Sequence, residues 1–362
     1  MDNLTPPPFL QAILPLLEAG PLAVDAARQL DDPAVLAHLR AQHLGPWVYR
    51  ELTARGQRKV VSSQFLKALK HDYAFYLRET QRQEGDARAM VAALAAAGIG
   101  PILLKGADLR QRVYGEPAVR PMGDLDLLIA PGEIARSQEV LSSRGFRLQP
   151  QCLDPRPGFR RIFRNELQFD PPPANSLVID LHWELRGGRH FYRLPYSALV
   201  QKALPWDYRG VPVQFLAPEH LLIHLCLHTA SENPGARAFL DLALVLTRLP
   251  LDWDTLLSEA AGFGCHYPVF LVLQELAPLL PQAIPAGVLA DLGRHRPHWL
   301  EKRALNRGGF LTEVLITVYH HPHPRECLLF LAAGLWPSPE YLAAMPGDHS
   351  RRAHLRRVLA KT

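Results

Sequence analysis

Two aspartates separated by a single residue are the feature of this sequence best suited to chemistry. Asp124 and Asp126 lie in the segment GDLDLLIAP, whose branched apolar residues predict a β-strand. Because successive side chains of a strand point to opposite faces, both carboxylates project from one face, about 7 Å apart along the backbone. Paired hard oxygen ligands suit Mg²⁺ or Mn²⁺. The alternative interpretation is a strand end whose acids face solvent.

A second acidic segment, SLVIDLHWEL, also predicts a strand. By the same alternation Asp180, His182 and Glu184 share one face, and the apolar residues between them share the other. Together with the two acids of the first strand, Asp180 makes a set of three carboxylates. Such a set could hold two ions about 3.5 to 4 Å apart and stabilise the entering and leaving oxygens of a phosphoryl displacement.

Cationic residues near the acids could bind phosphate. Lys105 and Gly106, in LLKGADL, lie at a predicted junction of strand and helix, where backbone N–H groups and the helix dipole favour an anion. The lysine adds a point charge. Arg120, in the loop before the acids, could reach a triphosphate. A surface lysine is the alternative for the Lys-Gly pair.

The elements that must position these residues fall into three predicted regions. Residues 1–85 repeat apolar residues at three- and four-residue spacings and form an N-terminal region of short helices. Residues 86–205 alternate helices and strands, beginning with the alanine-rich helix DARAMVAALAAAG, which is expected to end at Gly98. Residues 206–362, with PEHLLIHLCLHTA and ARAFLDLALVLTRL, form a C-terminal helical domain. The predicted fold class is α+β, with a small mixed sheet flanked by helical regions.

Histidines form two further groups that could bind metal. His220, His224 and His228 follow an i, i+4, i+8 spacing on one helix face. The helix is strongly apolar and has no HExxH motif, so a packed set of histidines is favoured over a zinc site. The segment YHHPHPREC contains three histidines and a cysteine, but its prolines predict an irregular polar connector.

The composition limits the class of protein. The net charge of +5, from 40 Lys and Arg against 35 Asp and Glu, suits a phosphate-bearing ligand but does not indicate nucleic acid, which stays open. The four cysteines form no CxxC pair, and no apolar run reaches a membrane span. A cytoplasmic protein is expected. The sequence contains no P-loop, GxSxG or GxGxxG motif.

The segment LLKGADLRQRVYGEPAVRPMGDLDLLI, followed by VIDLHWEL, resembles the uncharacterised nucleotidyltransferase family of the polymerase-β-type superfamily. The likeness consists of an LKG segment, a tyrosine-containing connector, an R-P-x-x-D-x-D strand and a D-L-H-W strand. It covers residues 100–186 and extends weakly into the helical half. The resemblance implies a polymerase-β-like α/β domain.

The resemblance also implies an activity: transfer of a nucleoside monophosphate from an NTP, ATP by default, to an acceptor hydroxyl, with release of pyrophosphate. Residue by residue it implies Asp124 and Asp126 as metal ligands, and Asp180 as a ligand and as the base for the acceptor hydroxyl. The family's pattern further suggests that His228 and Asp241 face the nucleotide cleft. His182 matches the pattern without a derived role.

One departure from the superfamily keeps an alternative open. This chain has Gly106-Ala107 where the wider superfamily has Gly-Ser, so a hydroxyl contact to the triphosphate is missing. A catalytically silent nucleotide- or peptide-binding module on the same fold is therefore the second hypothesis. A helical scaffold with an incidental α/β insert is the third. The acceptor stays open among a peptide, a small molecule, a protein and an RNA end, as do base preference and oligomeric state.

Overall fold

The computed structural model describes residues 4–18, 20–173, 175–187, 191–231, 235–306, 309–321 and 323–359. The helices that precede the sheet are α1 Leu10–Ile13, α2 Val24–Leu30, α3 Pro33–Ala41, α4 Gly45–Ala54 and α5 Ser63–Ala96.

The long helix α5 begins and ends at residues of the expected type. The hydroxyl of Ser62 accepts a hydrogen bond from the Phe65 N–H, which caps the first turn. At the other end Gly98 has a φ of 73°, so the predicted helix end at this glycine is confirmed. The sequence predicts only short helices before residue 85, whereas α5 runs for 34 residues. Gly85 lies inside α5 and does not interrupt it, because one glycine costs only about 1 kcal/mol in a helix.

The strands are β1 Ile102–Leu103, β2 Asp124–Leu128, β3 Arg147–Leu148, β4 Glu166–Asp170, β5 Val178–His182, β6 Glu184–Gly187, β7 Tyr192–Pro195, β8 Leu204–Asp207 and β9 Pro212–Phe215. Seven of them form one sheet in the order β3-β4-β5-β2-β1-β9-β8, and β6 and β7 form a separate hairpin. The pairs β2–β5 and β1–β9 are parallel and the other pairs of the sheet are antiparallel. The predicted mixed sheet is confirmed.

The helices between and beside these strands are α6 Lys105–Leu109, α7 Ile134–Ser143, α8 Phe159–Phe163 and α9 Tyr196–Gln201. The helices after the sheet are α10 Pro218–Ser231, α11 Ala236–Arg248, α12 Trp253–Gly262, α13 His266–Leu276, α14 Ala286–Gly293, α15 Trp299–Leu305, α16 Phe310–His320, α17 Pro324–Leu335, α18 Pro339–Ala344 and α19 Arg351–Leu359. The α+β class with helices on both sides of the sheet is confirmed. Among the described residues, no helix combines the length and the apolar character that a bilayer span requires.

The two faces of strands β2 and β5 differ in chemistry. Leu125, Leu127, Ile179 and Leu181 are buried in one apolar cluster, which also contains Leu94 of α5. This packing covers one face of the sheet, and Asp126 and Asp180, which alternate with these apolar residues, point to the other face. Burial of the apolar face therefore determines where the carboxylates go.

One sequence prediction about the second acidic strand is wrong. Strand β5 ends at His182, and Glu184 belongs to the separate hairpin, so it does not continue the acidic face. The chain leaves the sheet at Trp183, whose N–H donates to the carbonyl of Asn165. Glu184 instead accepts hydrogen bonds from the guanidinium groups of Arg186 and Arg193.

The division into three regions stays a prediction. Helix α5 passes through the first proposed limit, between residues 85 and 86, without a break. Strand β8 spans the second proposed limit, between 205 and 206, and β9 adds to the sheet beyond it.

Candidate active site

The register of the parallel strands brings Asp126 and Asp180 together. In the pairing of β2 with β5, Asp126 lies directly opposite Asp180, and Leu128 lies opposite His182. Asp126 is 3% exposed and Asp180 is 7% exposed. Ligand atoms of Asp126, Asp180 and His182 all lie within 4.8 Å of one another. The structure thus places carboxylates from two separate strands on one face, with a histidine beside them.

Two cationic side chains contact Asp126. The Lys105 Nζ and the His182 Nε2 donate to the same oxygen, Oδ1, at 2.9 and 3.1 Å. Burial opposes ionisation of Asp126, but the charges of Lys105 and His182 outweigh it and lower its pKa. Burial likewise opposes the charge of Lys105, and the Asp126 carboxylate outweighs it, so the pKa of Lys105 is raised.

Asp180 differs from Asp126 because none of the described cationic side chains forms an ion pair with it. Its Oδ2 accepts a hydrogen bond of 3.1 Å from the Gln168 Nε2. Its buried Oδ1 has no hydrogen-bond partner among the described residues. Burial and the nearby charge of Asp126 raise the pKa of Asp180 to about 6.

Asp124, the third acid predicted from sequence, lies at the exposed start of β2 and outside the group of ligand atoms that lie within 4.8 Å of one another, so its part in the site stays a prediction. Desolvation of its carboxyl by the surrounding protein and repulsion from Asp126 raise its pKa. The buried Asp180 Oδ1, which has no donor among the residues that the structure describes, and the nearby carboxylates of Asp126 and Asp124 are hard donors whose charge is not fully compensated. The residues present therefore fit a divalent cation.

The junction before α6 positions the lysine. The Leu104 N–H donates to the carbonyl of Asp126, which ties the junction to β2. Lys105 has a φ of 40°, a left-handed conformation that costs energy for a residue with a Cβ. At Gly106 a Cβ would lie 2.7 Å from the Met122 Cγ, so the close approach of the two segments requires glycine or a shift of Met122. The next residue, Ala107, is 1% exposed and packs in the apolar cluster beneath the sheet.

Arg120 and Asp241 form a buried ion pair. The Arg120 Nε and Nη2 donate to the two oxygens of Asp241 at 2.9 and 2.8 Å, and the Tyr114 hydroxyl donates to the same carboxylate at 2.7 Å. These contacts join α11 to the connector that leads into β2. The positive charge of Arg120 also favours ionisation of the Asp124 carboxyl and so opposes the rise in its pKa. The predicted contact of Arg120 with a triphosphate stays a prediction.

The predicted histidine stripe does not form a metal group. In the part of the chain that the structure describes, the group of three or more His, Cys, Asp or Glu residues whose ligand atoms lie within 4.8 Å of one another is Asp126, Asp180 and His182, and it includes none of these three histidines. The His220 Nε2 lies 3.0 Å from the Glu259 carboxylate, so this histidine pairs with α12 and not with the other two histidines. His228 is half-buried, and its placement in the cleft stays a prediction.

His224 lies near the acid cluster, although the sequence placed it only in a histidine group. Two residues of β4, which the sequence did not single out, also lie beside the acids. The buried His224 Nε2 has no hydrogen-bond partner among the described residues, and its pKa is well below the ordinary value because of burial and the charge of Lys105. Gln168 and Glu166 of β4 lie opposite Asp180 and His182. The alternation in ELQFD was a usable signal, since it separates these polar residues from Leu and Phe.

The protonation of His182 in the metal-free protein gives a first testable prediction. Burial disfavours the imidazolium, but Asp126 and the Glu166 carboxylate, whose Oε2 lies 3.2 Å from Nδ1, raise the pKa of His182 to about 9. Because the folded protein binds this proton more tightly than the unfolded chain does, protonation of His182 stabilises the folded state. This contribution to stability is complete below pH about 6.5, and it is lost as the pH rises through about 9.

The measurement is an NMR titration of the imidazole signal in the presence of a chelator. We assign the signal by its loss in His182→Gln. In Asp126→Asn the pKa of His182 should fall towards the ordinary value, because the main hydrogen-bond acceptor has lost its charge. An unchanged titration in that variant would contradict the pairing.

Comparisons with known proteins bear on the same residues. No curated protein matches the chain. One solved structure, the crystal structure of an antigenic nucleotidyltransferase-like protein from Paracoccidioides brasiliensis, is similar over 59% of this chain and 93% of that chain, with 14% identity and a TM-score of 0.34. The family described as uncharacterised nucleotidyltransferase matches residues 28–281, which is more than half of the chain and includes all the acids of the site. The chain therefore belongs to this family of uncharacterised nucleotidyltransferases, as the sequence resemblance indicated.

Proposed function

We propose that this protein is a Mg²⁺- or Mn²⁺-dependent nucleotidyltransferase that moves a nucleoside monophosphate from an NTP, ATP by default, to an acceptor hydroxyl. The observation that carries the proposal is the pairing of Asp126 with Asp180 across two parallel strands, where the buried Asp180 Oδ1 has no hydrogen-bond partner in the described part of the chain. Membership of the nucleotidyltransferase family supports it.

The three acids have different roles in this proposal. Asp124, Asp126 and Asp180 would hold the cation, which when bound neutralises charge on the phosphoryl oxygens. The acceptor oxygen forms a bond to the α-phosphorus, and the bond to the bridging oxygen breaks, so pyrophosphate leaves with the electron pair. Asp180 accepts the proton of the acceptor hydroxyl. Its pKa of about 6 suits this role, because a base works best near the operating pH.

The cations beside the acids would bind the donor nucleotide. Lys105 stays charged at neutral pH because its pKa is raised, and its Nζ already lies in the acid cluster. Gly106 allows the chain to approach closely at this point. Arg120 is held by Asp241 beside the start of β2, where it would add a second positive charge for the phosphates.

The experiment that tests the proposal combines two measurements on the full chain. Calorimetric titration with Mg-ATP measures binding, and an enzyme-coupled assay measures pyrophosphate release with a panel of hydroxyl acceptors. We expect binding that is lost with a chelator, and release that depends on the acceptor. Absence of metal-dependent nucleotide binding would refute the proposal and would favour the helical scaffold.

A catalytically silent binding module is the second candidate, and two observations favour it. Ala107 supplies no hydroxyl at the position where the wider superfamily has serine. Lys105 and His182 already neutralise Asp126 within the chain. Binding of Mg-ATP without pyrophosphate release from any NTP, with any acceptor of the panel, would support the module.

The proposed location is the cytoplasm. All four cysteines, Cys152, Cys226, Cys265 and Cys327, are free thiols, and the first three are buried. Free thiols suit a reducing compartment.

A further inference from the structure

A cavity of about 340 Å³ lies between α8, the β6–β7 hairpin and the helices α16, α17 and α19. Its walls include four phenylalanines: Phe159, Phe163, Phe310 and Phe330. The ring centroids of Phe159 and Phe163 are 4.9 Å apart, and those of Phe163 and Phe330 are 5.3 Å apart. The cavity therefore offers an apolar body of a ligand a set of packed aromatic rings.

Three arginines contribute to the polar lining of this cavity, together with histidine, threonine and tyrosine side chains and Glu313. Arg164, Arg186 and Arg193 line it, and they also line an adjoining cleft of about 270 Å³. Glu184 is shared between Arg186 and Arg193 at 2.6 and 2.8 Å, so one carboxylate serves two guanidinium groups. The buried Nε of Arg164 has no hydrogen-bond partner among the described residues.

The balance of charge along these walls is positive. The only other acidic residue among the described lining residues of the cavity and the cleft is Glu313, whereas Arg161 adds a fourth guanidinium in the cleft. Burial and the neighbouring Arg193 also lower the pKa of Arg186, although Glu184 opposes this. Guanidinium groups in such a setting bind carboxylate or phosphate strongly, because the bonds are charge-assisted and partly desolvated.

Two residues that line the cleft are close in the chain to residues of the acid cluster. Arg164 precedes Glu166 by two residues in the chain, and Glu166 lies 3.2 Å from His182. On the other strand, Trp183 directly follows His182 and lines the cleft. In the sheet order, β1, which leads into Lys105 at the start of α6, lies on one side of the acid pair, and β4 lies on the other. A ligand in the cavity would thus approach the acids from the side opposite the proposed nucleotide cations.

We propose that this cavity binds an amphipathic anion, with an apolar or aromatic body among the phenylalanines and a carboxylate or phosphate at the arginines, and that this anion is the recognition element of the acceptor. The assignment as acceptor rests on the proposed nucleotidyl transfer. The binding of the anion does not rest on it, because the cavity and its charges are separate from the three acids.

The test uses the full chain without nucleotide and two matched probes, 1-naphthaleneacetate and its neutral amide. We expect calorimetry to show the carboxylate binding about 10-fold more tightly than the amide, since one charge-assisted contact is lost in the amide. Equal affinities for the two probes would overturn the proposal.

Two variants, one that removes a positive charge from the cavity and one that removes a negative charge, test the same proposal. Arg193→Gln, at a side chain that is 37% exposed, should weaken binding of 1-naphthaleneacetate about 10-fold. Glu313→Gln should strengthen it by roughly 2-fold or more, because a repelling charge is removed from the wall. The control Arg294→Gln, at a side chain that is 77% exposed and outside the cavity, should leave it unchanged. An unchanged affinity in both cavity variants would refute the anion site.

A second titration tests the acceptor role separately. With saturating Mg-ATP present, the affinity for 1-naphthaleneacetate should stay the same or increase, because donor and acceptor occupy different sides of the acids. Competition between the two would show that the cavity holds the nucleotide, and it would overturn the assignment as acceptor. If the anion binds but no pyrophosphate release is observed, the proposed nucleotidyl transfer is refuted and the proposed anion site is retained.

Discussion

Replacing Asp126 by asparagine should reduce nucleotidyl transfer by about 10³-fold or more. Asparagine keeps the shape of the side chain, but it removes the negative charge that both Lys105 and His182 contact and that a divalent cation would need. Asp180→Asn should have a comparable effect for a second reason, because the amide cannot accept the proton of the acceptor hydroxyl. Pyrophosphate release with radiolabelled NTP measures both.

The matched control for these variants is Asp25→Asn, at a side chain that is 90% exposed on α2. It makes the same chemical change far from the acids and should leave turnover unchanged. Circular dichroism of each variant checks that the chain is folded. If Asp126→Asn and Asp180→Asn keep the turnover of the unmodified protein, the assignment of the site is wrong.

Replacing Asp241 by alanine should lower the free energy of unfolding by about 3 to 5 kcal/mol. The substitution leaves the Arg120 guanidinium and the Tyr114 hydroxyl without their shared acceptor, in surroundings where Asp241 is only 4% exposed. Urea unfolding, followed by tryptophan fluorescence, measures the change. The same variant should weaken binding of Mg-ATP, because Arg120 is no longer held beside Asp124.

A surface ion pair supplies the control for this prediction. Asp291→Ala breaks the contact of Asp291 with Arg294, whose side chains are 42% and 77% exposed, and should cost less than about 1 kcal/mol. In the double variant Arg120→Met with Asp241→Leu, part of the lost stability should return, since no unpaired charge remains buried. An equal cost for Asp241→Ala and Asp291→Ala would show that burial of the pair contributes nothing.

Several features of the fold followed from local patterns. The alternation in DLDLL placed Asp124 and Asp126 on one face of a strand, and the structure has that strand at residues 124–128. The alanine-rich helix does end at Gly98, where a positive φ is required. These predictions succeed because the side-chain period of a strand and the end of a helix depend on the backbone of a few neighbouring residues.

The same local reasoning failed where the chain leaves a regular element. It extended the second acidic strand to Glu184, although the sheet pairing stops at His182. Nothing in the alternation of VIDLHWEL marks that point, because the strand ends where β4 and β2 no longer offer partners. Pairing between distant segments, and not the pattern within one of them, limits the length of such a strand.

The sequence by itself determined the family and the α+β class, and it named Asp124, Asp126 and Asp180 as candidate site residues, since each of these depends on residue types in short stretches of chain. Only the tertiary structure decided that Asp126 faces Asp180, that Gln168 and His224 join them, and that Asp241 holds Arg120. These contacts join segments far apart in the chain, whose strand register and helix packing depend on how the whole core is buried. The protonation of the acids follows from the same burial, because desolvation and neighbouring charges shift a pKa only once the folded chain has brought the groups together.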